Sequence, residues 1–189
     1  MITREEALQL IEEHVENKNI IKHMFALEAV MGALWEKLKT DGTKEEWMMA
    51  GLLHDGDYCN NISSEKQGIQ ITSWAKEKGY QISENVAHAM AAHNWENTKV
   101  EPTNKMDWSI FCADSLTGLI VACALVRPSK KLSDVSVEMV LKKFGQKSFA
   151  AGTRREEIKM CEEKLGATLK DFIQIALSSM QEISDDLGL

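Results

Sequence analysis

Period-two alternation, proline, paired cysteines and long apolar runs are all scarce in this chain, and each scarcity removes a class of answer. No stretch sustains an alternation of Val, Ile, Thr and aromatic residues, so a half-buried sheet is not the organising element. Prolines are confined to Pro102 and Pro128, which leaves long segments free to run as helix. The four cysteines, Cys59, Cys112, Cys123 and Cys161, form no CxxC pair. Three of them lie in apolar-patterned segments, as reduced core thiols do, and an intracellular, reducing compartment is expected. The longest apolar stretch, 110–126, is short for a membrane span and carries Asp114, Ser115 and Thr117, so no span is expected there. No Walker-type loop, dinucleotide fingerprint or GxSxG elbow is present. A net charge of -7, with positives that are not interleaved with aromatics, disfavours nucleic-acid binding.

What the chain does contain is helical periodicity. Its 189 residues suffice for one domain with a real core, spanning 1–189. Apolar spacing and turn signals predict helices over roughly 3–16, 18–40, 44–55, 63–79, 83–95, 104–126, 135–144, 153–165 and 168–187. The expected fold is an all-α, compact multi-helix bundle. Punctuation falls at Asp41-Gly42, at Gly79, over 98–104 with Pro102, and at Arg127-Pro128-Ser129. Thr3 and Glu6 are spaced as a capping box that opens directly into the first helix, so no signal peptide is expected and a cytoplasmic location is. The last helix carries Leu169, Phe172, Ile173, Ala176, Leu177, Met180 and Ile183 at helical spacing. That stripe either closes the core or forms a homodimer seam.

The most informative residues are His54 and Asp55, in the run Ala50-Gly51-Leu52-Leu53-His54-Asp55-Gly56-Asp57-Tyr58. An imidazole and a carboxylate on adjacent residues reach one cation only at a helix end or irregular turn, which Gly56 permits. A polar helix terminus with a capping Asp is the other explanation. His23 lies on the inward line Asn19, His23, Leu27, Val30, Leu34, as a hydrogen-bonded core histidine or as a ligand. Asp114 is the only charged residue from Ile110 through Val126. A buried carboxylate there requires a cation, a helix to cap or an arginine partner. Taken together, His23, His54, Asp55 and Asp114 form a two-His, two-Asp set from three helices, the way helical bundles assemble interior metal sites.

The order His, His-Asp, Asp resembles the signature of the HD superfamily of metal-dependent phosphohydrolases. The resemblance extends to Ala91-Ala92-His93-Asn94, Ala113-Asp114-Ser115-Leu116-Thr117-Gly118 and Arg127-Pro128-Ser129-Lys130-Lys131-Leu132, as in a small stand-alone branch of that superfamily. It implies that His23, His54, Asp55 and Asp114 bind a divalent ion (Mn, Mg, Co, Fe or Zn), with Asp55 able to bridge to a second. His93 is the additional ligand it favours over His88. Where dinuclear relatives carry a His-Gly, this chain reads Lys66-Gln67-Gly68, which argues for one ion.

The implied activity is hydrolysis of a small phosphorylated compound such as a nucleotide. Asp57 is the candidate outer carboxylate that orients or deprotonates water, or else a turn or cap residue. Lys131 and Lys147 are the candidate phosphate contacts. Arg127 and Lys130 suit a helix C-terminus, Lys142 and Lys143 a solvated face, and Arg154 and Arg155 the surface. Trp95, beside His93, is placed to line a pocket. Two other functions fit the same residues: a dinuclear-iron oxygenase, and a non-catalytic, metal-stabilised binding module.

Overall fold

Side-chain caps start most of the helices, and glycines or left-handed residues stop several of them. The computed structural model describes residues 1–40, 42–59 and 61–189; the turn signal at Asp41 lies outside them. Thr3 and Glu6 form the expected capping box on α1 (Arg4–His14), and Thr43 with Glu46 forms another on α3 (Lys44–Leu53). Asn104 and Asp107 do the same for α7 (Lys105–Leu125). Each box satisfies backbone N–H groups that the first turn leaves free. The remaining helices are α2 (Lys18–Leu38), α4 (Gln70–Glu77), α5 (Glu84–His93), α6 (Trp95–Thr98), α8 (Val137–Phe144), α9 (Arg155–Leu165), α10 (Leu169–Glu182) and α11 (Ser184–Leu187). Two 3-10 turns, Ser64–Lys66 and Leu132–Asp134, complete the set, and no strand occurs among the described residues.

The all-α expectation therefore holds, with three internal breaks that periodicity did not show. The stretch 63–79 divides into the Ser64–Lys66 turn and α4, because Gly68 takes a φ of +85°. The stretch 83–95 ends at His93 and restarts as α6, which Lys99 closes at a φ of 64°. The last stretch breaks at Ile183, between α10 and α11.

The two longest helices, α2 and α7, form the centre. The first packs on α3, α7, α10 and α11, and the second on α5, α8, α9 and α10. By length and composition alone α7 could cross a membrane, yet here its apolar surface is covered on most sides by those neighbours. One apolar cluster runs through the protein from Ile2 to Leu187. The stripe on α10 closes this core: Phe172, Ile173, Ala176, Leu177 and Met180 are all buried. The four cysteines are free thiols, and Cys112, Cys123 and Cys161 are buried as expected.

The most extensive helix contact, α2 on α3, depends on Gly51. A Cβ there would lie 2.6 Å from the Leu27 carbonyl oxygen and 2.8 Å from its carbon, so the two backbones meet only where no side chain intervenes. Gly51→Ala is expected to lower stability by about 2 kcal/mol through overpacking. Gly118→Ala, where a Cβ meets nothing within 4 Å, is expected to be neutral or stabilising by up to about 1 kcal/mol. Urea unfolding of both variants checks this, and equal effects would contradict the close-approach account.

Candidate metal centre

α3 ends at Leu53, and His54 is its C-cap, so the next residue leaves the helix and its carboxylate turns back alongside the imidazole. Gly56 serves this turn differently from expectation. It has no left-handed φ; instead a Cβ would lie 2.8 Å from the Ile71 side chain. His23 approaches from the second turn of α2, Asp114 from the middle of α7 and His93 from the last residue of α5. The four segments converge on one point.

His23 Nε2 lies 3.1 Å from His54 Nε2 and 3.0 Å from Asp114 Oδ1. Asp55 Oδ2 stands 3.4 Å from His54 Nε2 and 3.7 Å from His23 Nε2. The other oxygen, Asp55 Oδ1, lies 3.5 Å from His93 Nε2. His54 and His93 are buried at the floor, whereas His23, Asp55 and Asp114 keep a partly exposed edge. The cluster is therefore enclosed below and open above.

Hydrogen bonds at the far side of each ring aim the Nε2 atoms. His54 Nδ1–H donates to the Gly51 carbonyl at 2.9 Å, and His93 Nδ1–H to the Met90 carbonyl at 2.5 Å. Carbonyls only accept, so both Nδ1 atoms carry a proton, and a neutral ring then offers its Nε2 lone pair. Thr117 donates its hydroxyl hydrogen to the Asp114 carbonyl at 2.8 Å and thereby accepts from His23 Nδ1–H at 3.0 Å. All three imidazoles present Nε2 inward. Such an outer hydrogen bond is how proteins fix a ligating histidine.

The spacing suits a metal ion. Two ligand atoms about 2.1 Å from one ion stand about 3.0 Å apart at a right angle and about 3.4 Å apart at the tetrahedral angle. His23, His54 and Asp114 form one group able to hold an ion, and His54, Asp55 and His93 form a second that shares His54. The two oxygens of Asp55 face different histidines, as a bridging carboxylate does.

Electrostatics of the metal-free cluster follow from burial opposed by pairing. Burial would push His23 down, but the hydrogen bond and charge of Asp114 outweigh it and raise the imidazole above its ordinary value. His93 is raised against the same burial effect by Asp55. Burial would push both carboxyls up, yet His54 and His93 hold Asp55 well below the usual range, and His23 does the same for Asp114. A proton on His23 Nε2 thus stands where a cation would.

Asp114 has a second partner that the sequence pattern concealed. Arg154 Nη2 donates to Asp114 Oδ2 at 2.5 Å, and Arg154 Nε lies 2.7 Å from Glu157 Oε2. Burial pushes the Glu157 carboxyl up to about 7 even with Arg154 beside it. Arg154 is therefore no free surface charge, and neither is Arg155, whose guanidinium is wrapped by main-chain carbonyls. The only sequence signal for Arg154 was that a buried Asp114 needs a cation.

The chain matches no family model, no curated protein and no solved structure. The chemistry accordingly rests on the side chains themselves. His93 joins the cluster, whereas His88 points elsewhere, with Nδ1 2.9 Å from Asp107 Oδ2. Asp57 has other work than the water-orienting role expected of it. It is fully buried, and its two oxygens accept the backbone N–H groups of Gly68 at 2.8 Å and Ile71 at 3.0 Å. Those bonds tie the 64–71 segment under the His-Asp turn. Asn94 pins the same segment from α5 by donating to the Ser64 carbonyl at 2.8 Å. Lys131 and Lys147 are exposed. Lys131 stands six residues beyond the end of α7, whose middle carries Asp114. Trp95 packs against Trp108 and Phe111 rather than standing alone at a pocket. A cavity of about 550 Å³ adjoins His23 and Thr117, walled by Val121, Leu125 and Leu187 with Asn19 and Lys22.

Two outcomes are expected. The stabilisation from the raised histidines is fully present below their ordinary value near 6.5 and is lost as pH rises through their raised values; that from the depressed carboxyls is present above their ordinary value near 3.8 and is lost as pH falls through their lowered ones. The melting temperature of metal-free protein should therefore fall as pH rises above about 6.5, the ordinary value of the raised histidines, while the increment from added manganese grows, because ligation needs unprotonated imidazoles. Thermal melts in chelator and in manganese test this; a manganese increment independent of pH would contradict it. Asp57→Ala should destabilise by about 3 kcal/mol, since two enclosed N–H groups lose their acceptor. An unchanged denaturation midpoint would return Asp57 to a purely chemical role.

Proposed function

We propose that this protein is a metal-dependent phosphohydrolase of the HD type, acting on a small phosphorylated compound. The observation that carries the reading is the convergence of three Nε2 atoms and two carboxylates, each ring fixed from its Nδ1 side, at a point open to solvent. The order of His23, His54-Asp55 and Asp114 along the chain supports the HD resemblance. His23, His54, Asp55 and Asp114 would hold one divalent ion, and His93 with the second oxygen of Asp55 would serve another. An ion bound there supplies a Lewis acid that polarises a phosphoryl oxygen and makes water a stronger acid.

The protein's own groups supply the rest. Imidazoles aimed by their Nδ1–H bonds and carboxylates held ionised keep the donor set oriented, so that binding a cation needs loss of the Nε2 protons but no rearrangement of the rings. Asp57, with both oxygens committed to backbone, acts as a positioning residue that holds the floor of the site. The cavity beside His23 is apolar along α7 and polar at Asn19 and Lys22, which suits the organic part of a phosphate ester. The reach of Asp55 Oδ1 to His93 keeps a dinuclear-iron oxygenase as the second reading, because that chemistry needs two ions in contact with one carboxylate.

Metal content by mass spectrometry and phosphate release from a panel of nucleotides and sugar phosphates test the reading together. Wild type reconstituted with manganese should hold one or two ions per chain and release phosphate. Asp55→Ala should lose metal and slow release at least about 100-fold. A metal-loaded protein that turns over none of the panel would instead be a binding module, and iron pairs retained on aerobic purification would favour the oxygenase.

A further inference from the structure

The loop between α8 and α9 is built around one side chain. The Arg155 guanidinium donates to five main-chain carbonyls: Phe144 at 2.8 Å, Gln146 at 3.1 Å, Phe149 at 2.6 Å, and Ala150 and Thr153 at 3.4 Å each. A loop whose carbonyls converge on one planar cation has little freedom left. Its last residue is Arg154, which is thereby aimed across to α7.

Two features distinguish Arg154 from an ordinary surface ion pair. First, Asp114 divides its oxygens: Oδ1 faces His23 Nε2, while Oδ2 takes Arg154 Nη2 at 2.5 Å. The guanidinium can therefore stay in place when Oδ1 is engaged by a metal ion. Second, Arg154 is anchored through only part of its fork. Nε lies 3.3 Å from Ser115 Oγ and 2.7 Å from Glu157 Oε2, and one Nη2 hydrogen is committed to Asp114. Among the described residues no acceptor faces Nη1, and the side chain is 43% exposed. A fixed guanidinium with spare donors at the rim of a metal cluster matches the oxygens of a phosphoryl group, which it can bind by paired, charge-assisted hydrogen bonds.

We infer that Arg154 grips an oxygen of a phosphoryl group bound over the metal cluster, with Arg155 as the positioning residue that fixes it. This rests on the phosphohydrolase reading above. Arg154 takes the role that Lys131 and Lys147 were expected to fill. The guanidinium is shared between two carboxyl groups, Asp114 and Glu157, so much of its charge is already spent and a phosphoryl group needs the added charge of a metal ion. Phosphate binding should therefore need both the ion and Arg154.

Calorimetric titration of inorganic phosphate into the manganese-loaded full chain tests the assignment, with manganese content measured on the same samples. Arg154→Gln is expected to weaken phosphate at least about tenfold at unchanged manganese content, and Arg154→Lys by a smaller factor, since charge survives but the fork does not. Arg155→Lys should weaken phosphate in the wild-type background and add nothing in the Arg154→Gln background, a coupling that a merely structural role would not give. Affinity within about twofold of wild type in manganese-loaded Arg154→Gln overturns the inference and leaves Arg154 a counter-ion. Manganese lost from a folded Arg154→Gln also overturns it, because the residue then acts on the metal ligands. Should Arg154→Gln not fold, Arg154→Lys decides: at least about threefold weaker phosphate at full manganese supports the forked contact, and unchanged affinity rejects it. Wild type that holds no manganese overturns the metal reading and this inference together, so the two failures are told apart by the metal analysis.

Discussion

The close approach of α2 and α3 at Gly51 is the constraint on which the site depends. It brings the second turn of α2 and the end of α3 together, so that His23 and His54 face each other at 3.1 Å. The same glycine's carbonyl accepts His54 Nδ1–H and so sets the direction of that ring. One residue without a side chain thus governs both the separation of the helices and the presentation of a ligand. α7 then adds Asp114 and Thr117 from one turn, the first as a donor toward the cluster and the second as the brace behind His23.

Charge explains why these groups tolerate burial. Two carboxylates in an apolar bundle would each be costly if left uncompensated. The metal-free cluster compensates them with protons on histidine and with Arg154, and the shifts of His23, His93, Asp55 and Asp114 all run in the direction of mutual pairing. A divalent ion could do the same with more charge and fixed distances, and its binding would displace those protons. The arrangement is thus poised between proton and metal. Arg154 remains available to both states because it uses the other oxygen of Asp114.

Much of this was legible in the residues because the pattern was local. A His-Asp pair at a helix end, a histidine on an inward stripe and a lone Asp in an apolar helix each carry their meaning within a few positions. Five residues of helix turn His88 and His93 to different faces, but the preference for His93 rests on the resemblance of its Ala91-Ala92-His93-Asn94 context and not on that spacing. What stayed hidden depended on distant chain. Arg154 reads as the head of a charged helix, Arg154-Arg155-Glu156-Glu157, and its contact with Asp114 spans 40 residues. Asp57 reads as a free carboxylate until Gly68 and Ile71, 11 and 14 residues later, donate to it. The break after Ser64–Lys66 follows from those same bonds and from Gly68, where a Cβ would meet the Met90 carbonyl at 2.3 Å. Apolar spacing continues across that break, so periodicity alone carries no sign of it.

The most direct measurement of the central claim is anomalous diffraction at the manganese edge from crystals grown with manganese. The account predicts a peak about 2 Å from His23 Nε2, His54 Nε2 and the carboxylates of Asp55 and Asp114. A map without any peak there, with the imidazole–carboxylate contacts intact in saturating manganese, would show that the cluster is a buried ion-pair network and not a metal centre.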